Sequence, residues 1–221
     1  KAGAEVKCVL TQSAAKLVSP LSMSTLSRNR CYQDKDQWDN SQTKPLHIAL
    51  AEWADLIIVA PMSATTLSKF SNGNAEGLLA SILLASQSQI IIAAAMNTSM
   101  WENQMVKRNW NYVKNIDQVI SLEPCKGLLA CDSVGDGKMV NLDIIELASE
   151  SAFIFLEENK LLTKDLKGKR FLVTAGPTVE ALDAARHLTN RSSGRMGVLI
   201  AQAAKLRGAE VDLVHGPMSI K

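Results

Sequence analysis

The chain of 221 residues is 47% hydrophobic and 21% charged, with a formal net charge of +2; this is the balance of a globular protein with core enough for one large or two modest domains. So even a charge balance gives no argument for nucleic acid, and no apolar run approaches the about 20 residues that a membrane helix needs. Residues 1–6 are patterned like structure rather than a signal peptide, and Cys8, Cys31, Cys125 and Cys131 contain no C-x-x-C pair and stand beside only three histidines, so the expectation is a cytoplasmic protein with free thiols and no metal site.

In chain order, EVKCVLT (5–11) reads as a strand, and PLHIALAEWAD (45–55) as an amphipathic helix with His47 in its first turn. DLIIVAP (55–61) is a second strand. It leads into MSATTLSKFSNGNAEG, where Ser63, Thr65 and Thr66 either cap a helix or line a cofactor. An Ala-rich helix is expected around 76–86, then a strand, QIIIAAA (89–95), which breaks at Asn97. Asparagine tolerates unusual backbone angles, so a turn is the plain reading of that residue. Another helix should follow it. GLLACDSVGDGKM (127–139) is a glycine-punctuated loop suited to a flap over a ligand, and it carries Cys131, either an inert apolar thiol or a reactive one. A helix is expected over 143–158.

The charged stretch ENKLLTKDLKGKR (158–170), with Gly168, places a domain boundary at 160–169, leaving domains at 1–160 and 170–221 joined by a linker at 161–169. RFLVTAG (170–176) and EVDLVHG (210–216) are the strands of the second domain. Short continuous apolar runs alternating with helices predict strands buried on both faces of a parallel sheet with crossover helices. The fold class is therefore α/β: a doubly wound parallel sheet, then the start of a second Rossmann-like α/β domain. GAEVKCVL (3–10) is echoed by GAEVDLVH (208–215), each a glycine cap turning into a strand. A doubly wound domain opening at GAEV is expected to lack its first strand and helix, and the last unit to stop after its second strand.

Ligands of such sheets bind at the carboxyl ends of the strands. The segments there, HIALAEWAD, PMSATT, AAMNTSMW and GLLACDSVGDGKM, resemble in order the motifs of the flavin-containing cysteine decarboxylases of coenzyme A synthesis, over nearly all of residues 1–160. TAGPTVEALDAARHLTNRSSGRMG (174–197) resembles the opening of the phosphopantothenate-cysteine ligases fused behind them in bacteria. The sequence departs from these patterns at Ala94, Ala181 and Ala184 (proline in the families), Thr65 (asparagine), Asp132 (glycine), Lys138 (arginine) and Arg195 (lysine).

The resemblance implies a flavodoxin-like flavoprotein fold and decarboxylation of 4'-phosphopantothenoylcysteine to 4'-phosphopantetheine, with FMN as transient hydride acceptor. It implies three catalytic side chains: His47 taking the substrate's thiol proton, Asn97 donating hydrogen bonds to its carboxylate, and Cys131 returning a proton. FMN would lie against Thr11, Ser13, Ser63, Ala64, Thr65, Thr66 and Ala95, and substrate against Asn97, Met100, Gly127, Ala130, Lys138 and Met139. In the second half it implies CTP- and Mg2+-dependent joining of cysteine to 4'-phosphopantothenate at Gly176, Arg186, Asn190, Ser192, Ser193, Gly194 and Arg195. A homo-oligomer built on trimers is implied, as are an FMN phosphate loop before residue 1 and a CTP-binding lysine loop after residue 221. Three alternatives stand beside this reading: another flavin-dependent cysteine decarboxylase or flavin prenyltransferase, a non-catalytic flavin-binding regulatory subunit, and a nicotinamide-dependent dehydrogenase, although no G-x-G-x-x-G follows any strand.

Overall fold

The computed structural model describes residues 3–38, 44–128, 134–157 and 164–216. It divides into two compact units, Lys1–Glu146 and Leu147–Lys221.

The first unit opens with β1 (Cys8–Leu10), α1 (Ala14–Leu17), α2 (Pro20–Ser27) and β2 (Cys31–Gln33), with β1 and β2 parallel and Cys8 opposite Cys31. A 3-10 turn, Asp34–Trp38, and α3 (Leu46–Trp53) lead to β3 (Leu56–Met62), α4 (Ala64–Ser71), α5 (Leu78–Ala85) and β4 (Gln89–Ala94). Then come α6 (Thr98–Glu102), α7 (Gln104–Val113), β5 (Val119–Leu122) and the strands β6 (Cys125–Leu128) and β7 (Val134–Lys138). β3, β4 and β5 form a parallel sheet in that order, with Ile57 opposite Ile90 and Ile91 opposite Ile120. β6 and β7 pair antiparallel, Gly127 opposite Gly135.

β4 fixes the centre of this unit. All six of its residues are buried, and Ile90, Ile91 and Ile92 are wholly so; each such side chain contributes about 1.5–3 kcal/mol by leaving water. Branched Ile and Val suit the pleated strand, and Leu46, Leu50, Leu67, Phe70, Leu78, Ile82 and Trp110 close over the same core from α3, α4, α5 and α7. α5, which has no capping side chain of its own at Gly77, is capped from 44 residues away: its Leu78 N–H donates to Asp34 Oδ1 at 2.9 Å. Gly77 reaches that cap at φ 97°, in the left-handed region that favours glycine.

Two expectations need correction here. The single helix after Asn97 is two, because Asn103 leaves the helical region (ψ 133°) and its Oδ1 accepts from Met105 N–H at 2.9 Å to start α7. Burial on both faces holds for β4 but not for β3, where Ile58 is 45% exposed.

The division between the units falls within α8 (Leu142–Glu157). Of the stretch 160–169, residues 164–169 are described, as a turn with Gly168 at φ 77°. The second unit continues with β8 (Arg170–Ala175), β9 (Val179–Ala181), β10 (His187–Thr189), α9 (Arg195–Leu206) and β11 (Glu210–His215). β8 and β11 are parallel, Val173 opposite Leu213, and α9 packs on them so closely that a Cβ on Gly197 would stand 2.6 Å from Ala175 Cβ. Leu172 and Val214, on their other face, are exposed. β9 and β10 form an antiparallel hairpin. Among the described residues no helix is long and apolar enough to cross a membrane.

Candidate functional site

Parallel strands deliver their carboxyl ends to one edge of the sheet, and β3 and β4, as neighbours, bring two candidate segments side by side. The Ala95 N–H donates to Met62 O at 3.2 Å, which ties the two strand ends together. Beyond β3, Ser63 is the N-cap of α4: its Oγ accepts from Thr66 N–H at 3.3 Å and lies 3.2 Å from Thr66 Oγ1. Of this group Ser63 and Thr65 are exposed, Ala64 and Thr66 half-buried. The first amides of a helix have no acceptor within it, so α4 presents N–H groups beside small side chains, with half-buried Ala95 next door. Thr11 and Ser13 follow β1; Thr11 Oγ1 accepts from Ala14 N–H at 3.2 Å, while Ser13, at the N-cap of α1, makes no side-chain cap bond.

Beyond β4, Asn97 is exposed and caps α6, its Oδ1 accepting from Ser99 N–H at 2.9 Å. That bond bears out the helix-capping reading of Asn97; the amide nitrogen is the side chain's donor end. Trp101 is buried and meets Trp110 edge-on, ring centroids 5.2 Å apart, with Lys107 Nζ 3.9 Å above its ring. Half-buried Met96 packs on the core, whereas Met100 is 48% exposed.

The described parts of the glycine-punctuated segment, 127–128 and 134–138, are the paired strand ends of β6 and β7 rather than loop, and β7 docks beside Asn97. Met96 N–H donates to Gly137 O at 3.0 Å, and Gly135 lies directly against Thr98. Sequence reasoning missed Thr98; the small residue opposite it, Gly135, was the available signal. Lys138 is exposed and Met139 half-buried, with Cys125 Sγ 3.5 Å from Met139 O. A Cβ on Gly127 would crowd the Lys138 side chain at 2.7 Å from Cδ. Asn97, Gly127, Lys138 and Met139 are thus carried by two connected segments. Ala130, Cys131 and Asp132 lie outside the described residues.

His47 is half-buried in the first turn of α3, whose Leu46 and Leu50 are in the core; its Nδ1 is buried and has no hydrogen-bond partner among the described residues. An imidazole nitrogen shut from water without a partner is an atom that awaits one.

In the second unit, Gly176 (φ 88°) ends β8. The Ser192 and Ser193 hydroxyls accept from Gly194 and Arg195 N–H at 3.3 and 3.4 Å ahead of α9. Arg186 pairs with Asp183, Nε to Oδ2 at 2.6 Å, and this hydrogen bond holds the Asp183 carboxyl below its ordinary range. Asn190 is drawn elsewhere: with Thr178, Glu180 and Thr189 it lines a groove of about 550 Å³ that Arg186 does not reach. Among the described residues no three His, Cys, Asp or Glu side chains come together to hold a metal ion.

Residues 1–149 match the model of the Flavoprotein family, and residues 166–221 that of the DNA/pantothenate metabolism flavoprotein C-terminal domain. The coenzyme A biosynthesis bifunctional protein CoaBC of Bacillus subtilis is 42% identical over 221 residues, 100% of this chain and 52% of that protein. Its counterpart in Haemophilus influenzae is 37% identical over 220 residues, 100% and 53% of the two chains. The chain therefore spans about half the length of these curated relatives. A cysteine-to-serine mutant of a PPC decarboxylase, solved with pantothenoylaminoethenethiol, superposes with a TM-score of 0.62 at 31% identity over 70% of this chain and 84% of that one. The FMN binding protein AtHal3 does so with a TM-score of 0.59 at 32% identity, over 70% and 83%. This chain belongs to the flavoprotein family across residues 1–149, followed across 166–221 by sequence of the DNA/pantothenate metabolism C-terminal-domain family, the pairing of the CoaBC proteins.

Proposed function

We propose that the first unit is an FMN-dependent decarboxylase of 4'-phosphopantothenoylcysteine acting in the cytoplasm in coenzyme A synthesis. One observation carries this reading: Asn97 and the hairpin bearing Gly127, Lys138 and Met139 are hydrogen-bonded together through Met96 and Gly137 beside the start of α4. That brings a carboxylate-binding amide, a cation and a helix N-terminus to one strand edge. The relatives solved with an enethiol analogue or described as FMN-binding share this fold.

The residues at the strand ends fit FMN in kind. Ala64 and Ala95 leave room for a flat ring, exposed Thr65 offers a hydroxyl, and the first amides of α4 offer donors; Thr11 and Ser13 complete the surface in this reading. When bound, FMN supplies reversible hydride acceptance, which gives the electrons of a departing carboxylate somewhere to go. The chain's own groups do the rest. His47 takes the thiol proton of the substrate on a ring nitrogen. Asn97 holds the carboxylate by donating N–H bonds without adding a full charge that would oppose its loss as neutral CO2. Lys138, exposed on β7, attracts the anionic substrate, and Met100 and Met139 cover its apolar parts. Cys131, by its thiol, delivers the final proton.

For the second unit we propose part of a CTP- and Mg2+-dependent ligase that joins cysteine to 4'-phosphopantothenate. Ser192, Ser193, Gly194 and Arg195 at the start of α9 suit a phosphate, while Gly176, Arg186 and Asn190 serve the acyl substrate, with Arg186 sharing its charge with Asp183. Assembly as a homo-oligomer built on trimers belongs to the same proposal. A nicotinamide-dependent dehydrogenase would use an acidic side chain after its second strand for a ribose; here Asp34, just after β2, is engaged in capping α5. The test is release of labelled CO2 from 4'-phosphopantothenoylcysteine by full-length protein with and without FMN. Release that requires FMN is expected; equal release without it, or none with it, overturns the proposal.

A further inference from the structure

Gly135 lies where β7 passes the start of α6, and its φ is outside the left-handed region, so backbone conformation does not call for glycine there. Contact does. A Cβ at this position would overlap Thr98 Oγ1 outright and stand 3.2 Å from both Thr98 Cβ and Thr98 Cγ2. Only the χ1 rotamer that turns the threonine's Cβ hydrogen toward β7 would relieve the overlap with Oγ1, and Thr98 Cβ would still stand 3.2 Å away. Two residues along β7, Gly137 O accepts from Met96 N–H at 3.0 Å. The two contacts run in antiparallel sense, so Met96–Thr98 lies alongside β7 with Asn97 at its middle.

Thr98 is an odd residue for a seat that asks only for bulk. Its Oγ1 is buried with no hydrogen-bond partner among the described residues. A hydroxyl shut from water without a partner is disfavoured by its full desolvation cost, and valine would fill the same space without it. The cost exists only while β7 is seated, for if β7 lifts from α6, Oγ1 meets water.

We propose that Thr98 is a positioning residue for the substrate: its side chain seats Gly135 and so sets the distance between β7 and Asn97, and its unbonded hydroxyl keeps that seating weak enough to reverse. Its consequence for turnover rests on the decarboxylase reading; the mechanical claim does not. β7 carries Lys138 and is joined to β6 with Gly127, so lifting it separates the substrate-binding residues from Asn97.

Hydrogen exchange of full-length protein tests the mechanics directly, read at the amides of 125–128 and 134–138 and compared with those of the β3–β4–β5 sheet. Thr98→Val removes the hydroxyl and keeps the bulk, so exchange in the hairpin should slow by about tenfold, the scale of one buried unsatisfied hydroxyl. Gly135→Ala forces a methyl into the contact and should speed it by at least about tenfold. The sheet should not change in either variant, and Thr98→Ser should restore wild-type exchange. In turnover, Gly135→Ala should raise KM, while Thr98→Val should lower KM and kcat together as release slows. If both variants shift the hairpin in the same direction, or neither does, the proposal is overturned. If exchange behaves as expected but wild-type protein releases no CO2, the decarboxylase reading falls and the seating remains.

Discussion

Asn97→Asp preserves the shape of the side chain while reversing what its donor end offers. The cap survives, because an aspartate oxygen can accept from Ser99 N–H as Oδ1 does now at 2.9 Å, and the two residues are about equal as N-caps. The added charge sits at a helix start, where it stabilises by about 0.3–1 kcal/mol, so thermal stability should hold or rise slightly. Function should move the other way. The substrate carboxylate loses a donor, about 1.5–3 kcal/mol for a hydrogen bond to a charged group. It also gains an anion; because Asn97 is exposed, the repulsion is that of water-like surroundings, about 1 kcal/mol at 4 Å. The sum lowers kcat/KM roughly 100- to 1,000-fold, at 1.36 kcal/mol for each factor of ten. Labelled CO2 release over a range of substrate concentrations, beside thermal melts and a flavin spectrum of the same preparation, reads all three quantities. Turnover within about threefold of wild type would refute the reasoning and leave Asn97 as a cap alone; lost flavin or a lowered melting point would refute the separation of cap from catalysis.

Other outcomes follow from the second unit. Arg207 holds the Asp165 carboxyl below its ordinary range through a side-chain hydrogen bond, Nε to Oδ1 at 2.9 Å. The tie is therefore complete above the unfolded pKa of about 3.9 and is lost as pH falls through the lower folded value. Hydrogen exchange across α9 measured from neutral to acid pH should show that acid-limb loosening in wild type and not in Asp165→Asn; identical profiles would contradict it. The linker read at 161–169 predicts that a protease of broad specificity such as subtilisin cuts first around exposed residues 167–169, with mass spectrometry of the first fragments as the check; first cleavage within 77–95 would mean the division is misplaced.

How much of this was legible beforehand varied with the physics. QIIIAAA announced β4 because a short run rich in branched Ile and bounded by polar residues suits a strand buried on both faces, and β8 and β11 were equally plain as strands from RFLVTA and EVDLVH. Asn97 was legible as a break in that pattern. Its capping bond and its proposed chemistry use opposite ends of one side chain, so the sequence could not choose between them and did not need to. The hairpin of β6 and β7 was read as a loop, because its pairing depends on a partner strand and its glycines answer to neighbours such as Thr98 rather than to local turns. The Asp34 cap on α5 spans 44 residues and left no local signature. His47 was picked out by its motif, whereas its buried, unpartnered Nδ1 is a property only of the packed chain.

The account turns on whether substrate and FMN exchange a hydride reversibly at a site completed by Cys131. An anaerobic single-turnover measurement tests this most directly: full-length FMN-loaded protein is mixed with 4'-phosphopantothenoylcysteine while visible absorbance and CO2 are followed together. In wild type the flavin band should bleach and recover as equimolar CO2 and 4'-phosphopantetheine form. In Cys131→Ser, CO2 should still be released but the band should stay bleached, with a product two hydrogens lighter than 4'-phosphopantetheine, because a serine hydroxyl is too weak an acid to supply the last proton. CO2 released with the band unchanged throughout, or full recovery and normal product in the variant, would contradict the account.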